Sequence, residues 1–160
     1  MLRRVHIAGI TPNPDGVWMA QQARNLSMFF DELPDRPKYI VCDQDTKFAA
    51  QFEEILKMDD IELKRTALRA PNQNAYAERW VQSIKQECLD LFVVFGEKHL
   101  RYIIQEYVRY YHDCRPHQSL GNLPPMMDAP PDPIECLGPD DVICHEWLGG
   151  LLTYYQRKAA

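Results

Sequence analysis

Two pieces of sequence decide the fold: Tyr39-Ile40-Val41-Cys42-Asp43, and Asn72-Gln73-Asn74-Ala75-Tyr76-Ala77-Glu78-Arg79-Trp80. The first is a short, continuously apolar run, which reads as a buried strand closed by an aspartate. The second opens an amphipathic helix, because Ala77, Trp80, Val81, Ile84, Cys88 and Leu91 recur at helical spacing. Glu78 stands on the first turn of that helix, and Glu78, Gln82 and Lys85 form a polar row beside the apolar stripe. Between Asp43 and Glu78 lie 34 residues. A strand end and a helix start can nevertheless bring two such carboxylates together as a divalent-metal site.

Working outward, Arg3–Ile10 alternates like a strand, with Val5, Ile7 and Gly9 on one face. Asn13 reads as an N-cap and Pro14 as the first position of a helix running to about Leu33. That helix would carry Val17, Ala20, Leu26, Phe29, Phe30 and Leu33 near one face, until Pro34-Asp35-Arg36-Pro37 stops it. Phe48–Met58 reads as a short helix with Phe48, Phe52, Ile55 and Leu56 inward, and Ile61–Leu68 as another strand. Beyond the Glu78 helix, a long helix is expected over about Glu97–Tyr111, carrying Leu100, Ile103, Ile104, Tyr107, Val108 and Tyr111. Six prolines between Leu123 and Pro139 predict an extended wrap, after which Val142–Tyr155 returns as a strand or hairpin.

At 160 residues and 46% apolar, the chain has single-domain length and can bury a core. No apolar run approaches the ~20 residues of a membrane span, and the basic N-terminus lacks the apolar stretch of a signal peptide. Five cysteines with no CxxC pair fit reduced thiols and a cytoplasmic setting. The spacing of His112, Cys114, His117, Cys136, Cys144 and His145 matches no common zinc pattern. A net charge of −5 argues mildly against a nucleic-acid binder. However, many acids sit in the Pro-rich tail and around residues 53–62, whereas Lys64, Arg65, Arg69, Arg79 and Lys85 cluster in sequence near Glu78. A local basic rim can surround an acidic site in an acidic chain.

Three segments, in this order, carry a family resemblance. They are Cys42-Asp43-Gln44-Asp45-Thr46-Lys47-Phe48, then Pro71-Asn72-Gln73-Asn74-Ala75-Tyr76-Ala77-Glu78-Arg79, then Tyr111-His112-Asp113-Cys114-Arg115-Pro116-His117-Gln118-Ser119-Leu120-Gly121. With the element order around them, residues 3–125 resemble the catalytic core of retroviral-type integrases and insertion-sequence transposases. Trp147-Leu148-Gly149-Gly150-Leu151-Leu152 is similar to extensions of one transposase group. The resemblance implies an α/β, RNase H-like integrase core with an incomplete mixed β-sheet flanked by helices. It also implies a division into a partial core over 1–125 and a Pro-rich extension over 126–160.

The chemistry so implied is metal-dependent phosphoryl transfer on DNA, by Mg²⁺ or Mn²⁺ held on hard carboxylate oxygens. Asp43 and Glu78 would be the catalytic metal ligands. Lys85 matches a family position that contacts DNA, and Arg69, Asn74 and Arg79 are further DNA-binding candidates. Plainer readings stand beside these. Asp43 is also a good strand-terminating turn residue, and Glu78 a first-turn acid favoured by the helix dipole. Lys85 could be one residue of a solvated face, His117 a packing or capping residue, and Asp45 a turn aspartate where the family commonly has glycine. The tyrosines at 102, 107, 110 and 111 read as core and its margins rather than a stacking platform.

One departure from the family matters. Its first catalytic aspartate lies on a strand upstream of the one matching Arg3–Ile10, and no counterpart occurs in this sequence; Asp15 stands at a helix start and cannot take that place. The expectation is therefore an N-terminally truncated transposase core, inactive alone. The alternatives are one half of a split transposase completed by a missing N-terminal chain, or a non-catalytic DNA-binding or dimerisation module. Family resemblance further implies a homo-oligomer on DNA.

Overall fold

Tyr39–Cys42 (β1) and Glu62–Arg65 (β2) run parallel, with Tyr39 opposite Glu62 and Cys42 opposite Arg65. Parallel neighbours need a crossover, and the helix Ala50–Met58 (α2) lies between them in the chain. Asp60 makes the reversal into β2 with a left-handed backbone (φ 57), a conformation that Asp tolerates better than most residues. These coordinates are a computed structural model and describe residues 4–45, 48, 50–67, 74–130 and 138–158.

Gly16–Asp31 (α1) precedes this βαβ unit. Its N-cap is Asp15, whose side chain accepts a hydrogen bond from the Trp18 N–H at 2.7 Å. The expected cap at Asn13 falls two residues too early, because Asp15 keeps an extended backbone (ψ 174) and satisfies an otherwise orphaned N–H of the first turn. The expected inward face is met at Ala20, which is buried, and at Leu26 and Phe30, but not at Val17. Met19 and Ala23 are buried, with Leu26 and Phe30 packed beside them, while Val17 faces solvent. Phe52, Leu56 and Ile61 complete this core, with Trp18, Ile40, Phe48, Ile55 and Leu63 around it. Ala23 is fully buried, and its lack of bulk suits the packing of α1 against α2.

The strand expected at Arg3–Ile10 is not formed among the described residues 4–10. Alternation specifies a face but not a partner. β1 pairs with β2, and the Val5 N–H donates instead to His112 Nε2 at 2.8 Å. Gly9 has a separate constraint: a Cβ there would sit 2.7 Å from Trp18 Cζ2, so the backbone passes too close for a side chain.

Contacts divide the chain into two compact units, Ile7–Gln82 and a second comprising Met1–His6 with Ser83–Ala160. The helix Ala75–Glu87 (α3) begins in the first and ends in the second. Of its expected apolar stripe, Ile84 and Cys88 are buried and Trp80 is partly covered, but Val81 and Leu91 are exposed. In the second unit the helix Gly96–Asp113 (α4) spans the expected segment and buries Ile103, Tyr107 and Tyr111. The C-terminal segment does return as a hairpin, Val142–Trp147 (β3) against Leu152–Arg157 (β4). Its turn carries three positive φ values, at Leu148, Gly149 and Gly150. Trp147 meets the Tyr110 ring at 5.8 Å, which seats β3 on α4. No described helix is long and apolar enough to cross a membrane.

Candidate active site

Asp43 follows β1 directly, so its position is fixed by whatever fixes the end of that strand. The Thr66 N–H donates to the Cys42 carbonyl at 2.8 Å, and Gln44 Nε2 donates to the Thr66 carbonyl at 2.9 Å. Arg65 Nη2 donates to the Phe48 carbonyl at 2.5 Å, tying β2 to the segment beyond the aspartate. Asp43 itself is exposed, and its Oδ1 accepts the Asp45 N–H at 3.2 Å. This is an Asx turn, so the turn and metal-ligand readings of Asp43 are compatible.

Glu78 and Arg79 lie on the first turn of α3 and are exposed; Asn74, just before the helix, is half-buried. Glu78 at this end favours the helix dipole as well as any cation. Asp43 and Glu78 both belong to the Ile7–Gln82 unit. Among the described residues no three or more His, Cys, Asp or Glu side chains are grouped as a metal site. The two carboxylates match a hard, partly hydrated cation in donor type. Lys85 is an exposed residue of the last turn of α3. Of the anticipated basic rim, Lys64 sits over the Tyr39 ring at 3.7 Å and Arg65 is engaged as above. Arg69, Asn72 and Gln73 lie outside the described residues.

A network at the other end of α3 escaped the sequence reading. Glu87 accepts from Arg115 Nε at 2.8 Å and Nη2 at 2.5 Å, and from the Tyr107 hydroxyl at 2.8 Å. Burial pushes the Glu87 carboxyl up, but the hydrogen bonds from Arg115 and Tyr107 outweigh it and hold it below the usual range. Burial and the Glu87 hydrogen bond raise the Tyr107 hydroxyl in turn. Nothing local signals this triad, since its members are 20 and 28 residues apart. His117 is buried edge-on against the Tyr111 ring at 4.7 Å, in keeping with a packing role. Burial pushes the Cys88 and Cys114 thiols up to about 11, so both stay protonated near neutrality.

Residues 59–125 match the integrase core domain family. A 60-residue stretch, 38% of this chain, is 38% identical to an uncharacterized 39.2 kDa protein of insertion element IS476 from Xanthomonas euvesicatoria. That stretch spans 17% of the relative's length. The matched part of this chain is thus similar to integrase cores and to an insertion-element protein. It includes Glu78, the whole of α3 and α4, and the Glu87–Arg115–Tyr107 triad.

Proposed function

We propose that this chain carries part of an RNase H-like transposase core that performs metal-dependent phosphoryl transfer on DNA, with Asp43 and Glu78 as the metal ligands. The observation that carries the reading is the place of Glu78: inside the integrase core match, and exposed on the first turn of α3. When bound, Mg²⁺ or Mn²⁺ would supply Lewis-acid activation of the reacting phosphate and its attacking oxygen. The Asp45 N–H orients the Asp43 carboxylate, and the first turn of α3 presents Glu78. Arg79, Lys85 and Asn74, with Arg69, would receive DNA phosphates, which position the substrate without reading its sequence. The setting that fits this chemistry is the cytoplasm, with DNA as partner and a homo-oligomer as the acting form.

Thermal unfolding with and without Mn²⁺ tests the metal site. A cation at ~100 times its dissociation constant stabilises the fold by about 2.7 kcal/mol, a rise of several degrees. We expect that rise in the parent chain and its loss in both Asp43→Asn and Glu78→Gln. A transition indifferent to Mn²⁺ would refute the assignment.

A second reading is favoured by β1. Parallel sheets are normally covered on both faces, yet Tyr39 and Val41 are exposed on this two-stranded pair. Strands from another polypeptide, or from a longer form of this one, would complete the sheet and supply the third carboxylate. In that case DNA cleavage requires the second component, and cleavage by residues 1–160 alone would dismiss the idea.

A further inference from the structure

α3 is covered along one side only. Ile84 is buried there, and Trp80, Ser83 and Glu87 are half-buried. On the opposite side Ala75, Arg79, Gln82 and Gln86, at spacings of 4, 3 and 4 residues, form a straight row. All four are exposed, as are Glu78 and Lys85 in the adjoining row. The acids of α3 are Glu78 and Glu87, and Glu87 is turned away to Tyr107 and Arg115.

Long polar side chains on a helix readily bond to a neighbour one turn away. Lys57 does so with Glu53, Arg101 with Glu97 and Arg109 with Glu106, while Gln21 bonds both Asn25 and Arg24. Arg79, Gln82, Lys85 and Gln86 make no side-chain hydrogen bond or ion pair among the described residues. Two cations and two amides, all unengaged, therefore stand on the side of α3 that presents Glu78.

We propose that this side of α3 enters the major groove of duplex DNA, where Gln82 and Gln86 read base edges and set a sequence preference. The inference rests on DNA being the substrate, and it adds the residues that discriminate between sequences. A glutamine amide offers a donor and an acceptor together, which matches the N6 and N7 edge of adenine. Arg79 and Lys85 supply the charge that phosphates require but report no sequence. The groove, about 12 Å wide, admits an α-helix, and Ala75 adds little bulk where the row begins. Gln82 and Gln86 stand ~6 Å apart along the helix axis, against ~3.4 Å between successive base pairs. The two amides thus reach different base pairs of one groove.

Selection of bound duplexes from a random-sequence pool by the 160-residue chain at low salt tests this. Dissociation constants are then compared for a selected duplex and a scrambled one. The expected preference is for a duplex carrying A·T pairs. Gln82→Ala and Gln86→Ala should each cut the ratio of selected to scrambled affinity about 5–100-fold. Replacing the contacted adenines with 7-deazaadenine should lower the ratio too, since N7 is lost. Arg79→Ala and Lys85→Ala should instead weaken both duplexes alike, each lowering the salt slope by about one. All four positions are exposed and alanine is the best helix former, so circular dichroism should show α3 intact in every variant. Failure to bind any duplex would remove the DNA substrate and this inference together. Binding without sequence preference, or a preference that survives either glutamine substitution, would overturn this inference and leave DNA standing as the substrate.

Discussion

Glu87 shows how one residue acquires its role from distant partners. Its carboxylate accepts three hydrogen bonds, two of them a bidentate pair from Arg115. Its lowered pKa fixes the sign of a pH effect. The folded state holds fewer protons than the unfolded chain, so the stabilisation is fully present above the ordinary carboxylate value of about 4.5 and is lost as pH falls through the depressed value. Glu87→Gln should cost about 1–3 kcal/mol at pH 7, since Arg115 is left with a neutral partner. The cost should shrink in urea titrations as pH is lowered below 4.5, compared between pH 7 and the most acidic pH at which the chain still folds. An equal penalty at both pH values would contradict this account.

His112 works in the opposite charge state. Burial lowers its pKa, Asp113 opposes and Arg4 assists. Its Nε2 must stay unprotonated to accept the Val5 N–H. The unfolded chain therefore takes up a proton first, and the contribution is complete above about 6.5 and declines as pH falls through the lowered folded value. Faster hydrogen exchange of the Val5 amide at pH 5 than base-catalysed scaling from pH 7.5 predicts would report that release. Among the thiols, alkylation at pH 8 should reach exposed Cys144 well before buried Cys42, Cys88 and Cys114.

At the scale of elements, the helices were legible and their details less so. α2 and α4 lie where periodicity placed them, and α1 differs in its cap and in the exposure of Val17. Asp15→Ala should cost about 1 kcal/mol, whereas Asn13→Ala should be near neutral, because only Asp15 satisfies a first-turn N–H. A larger effect at Asn13 in chemical denaturation would restore the earlier cap. The strand at Arg3–Ile10 failed for a different reason. A strand exists only with a partner, and no local pattern names that partner.

At the scale of the molecule, the described chain contains two compact units. The core of the first is small: Met19, Ala23, Phe52, Leu56 and Ile61, with a partly covered ring around them. Leu56→Ala should remove about 2–5 kcal/mol from it, given complete burial. Hydrogen exchange should then accelerate through α1, α2 and β2 while the centre of α4 keeps its protection. Uniform acceleration across the chain would mean that the two units unfold as one.

The sequence by itself determined the helices, the hairpin, the integrase-type order of motifs, and the positions of Asp43 and Glu78 on a strand end and a helix start. Those features follow from periodicity, capping and turn chemistry within a few residues. Tertiary structure alone decided that Val5 would bond to His112 rather than enter a sheet, and that Arg115 and Tyr107 would converge on Glu87. It also left Leu91, Val93 and Phe95 exposed. Each outcome turns on which distant groups pack and hydrogen-bond together most favourably, and neighbouring residues carry no record of that competition.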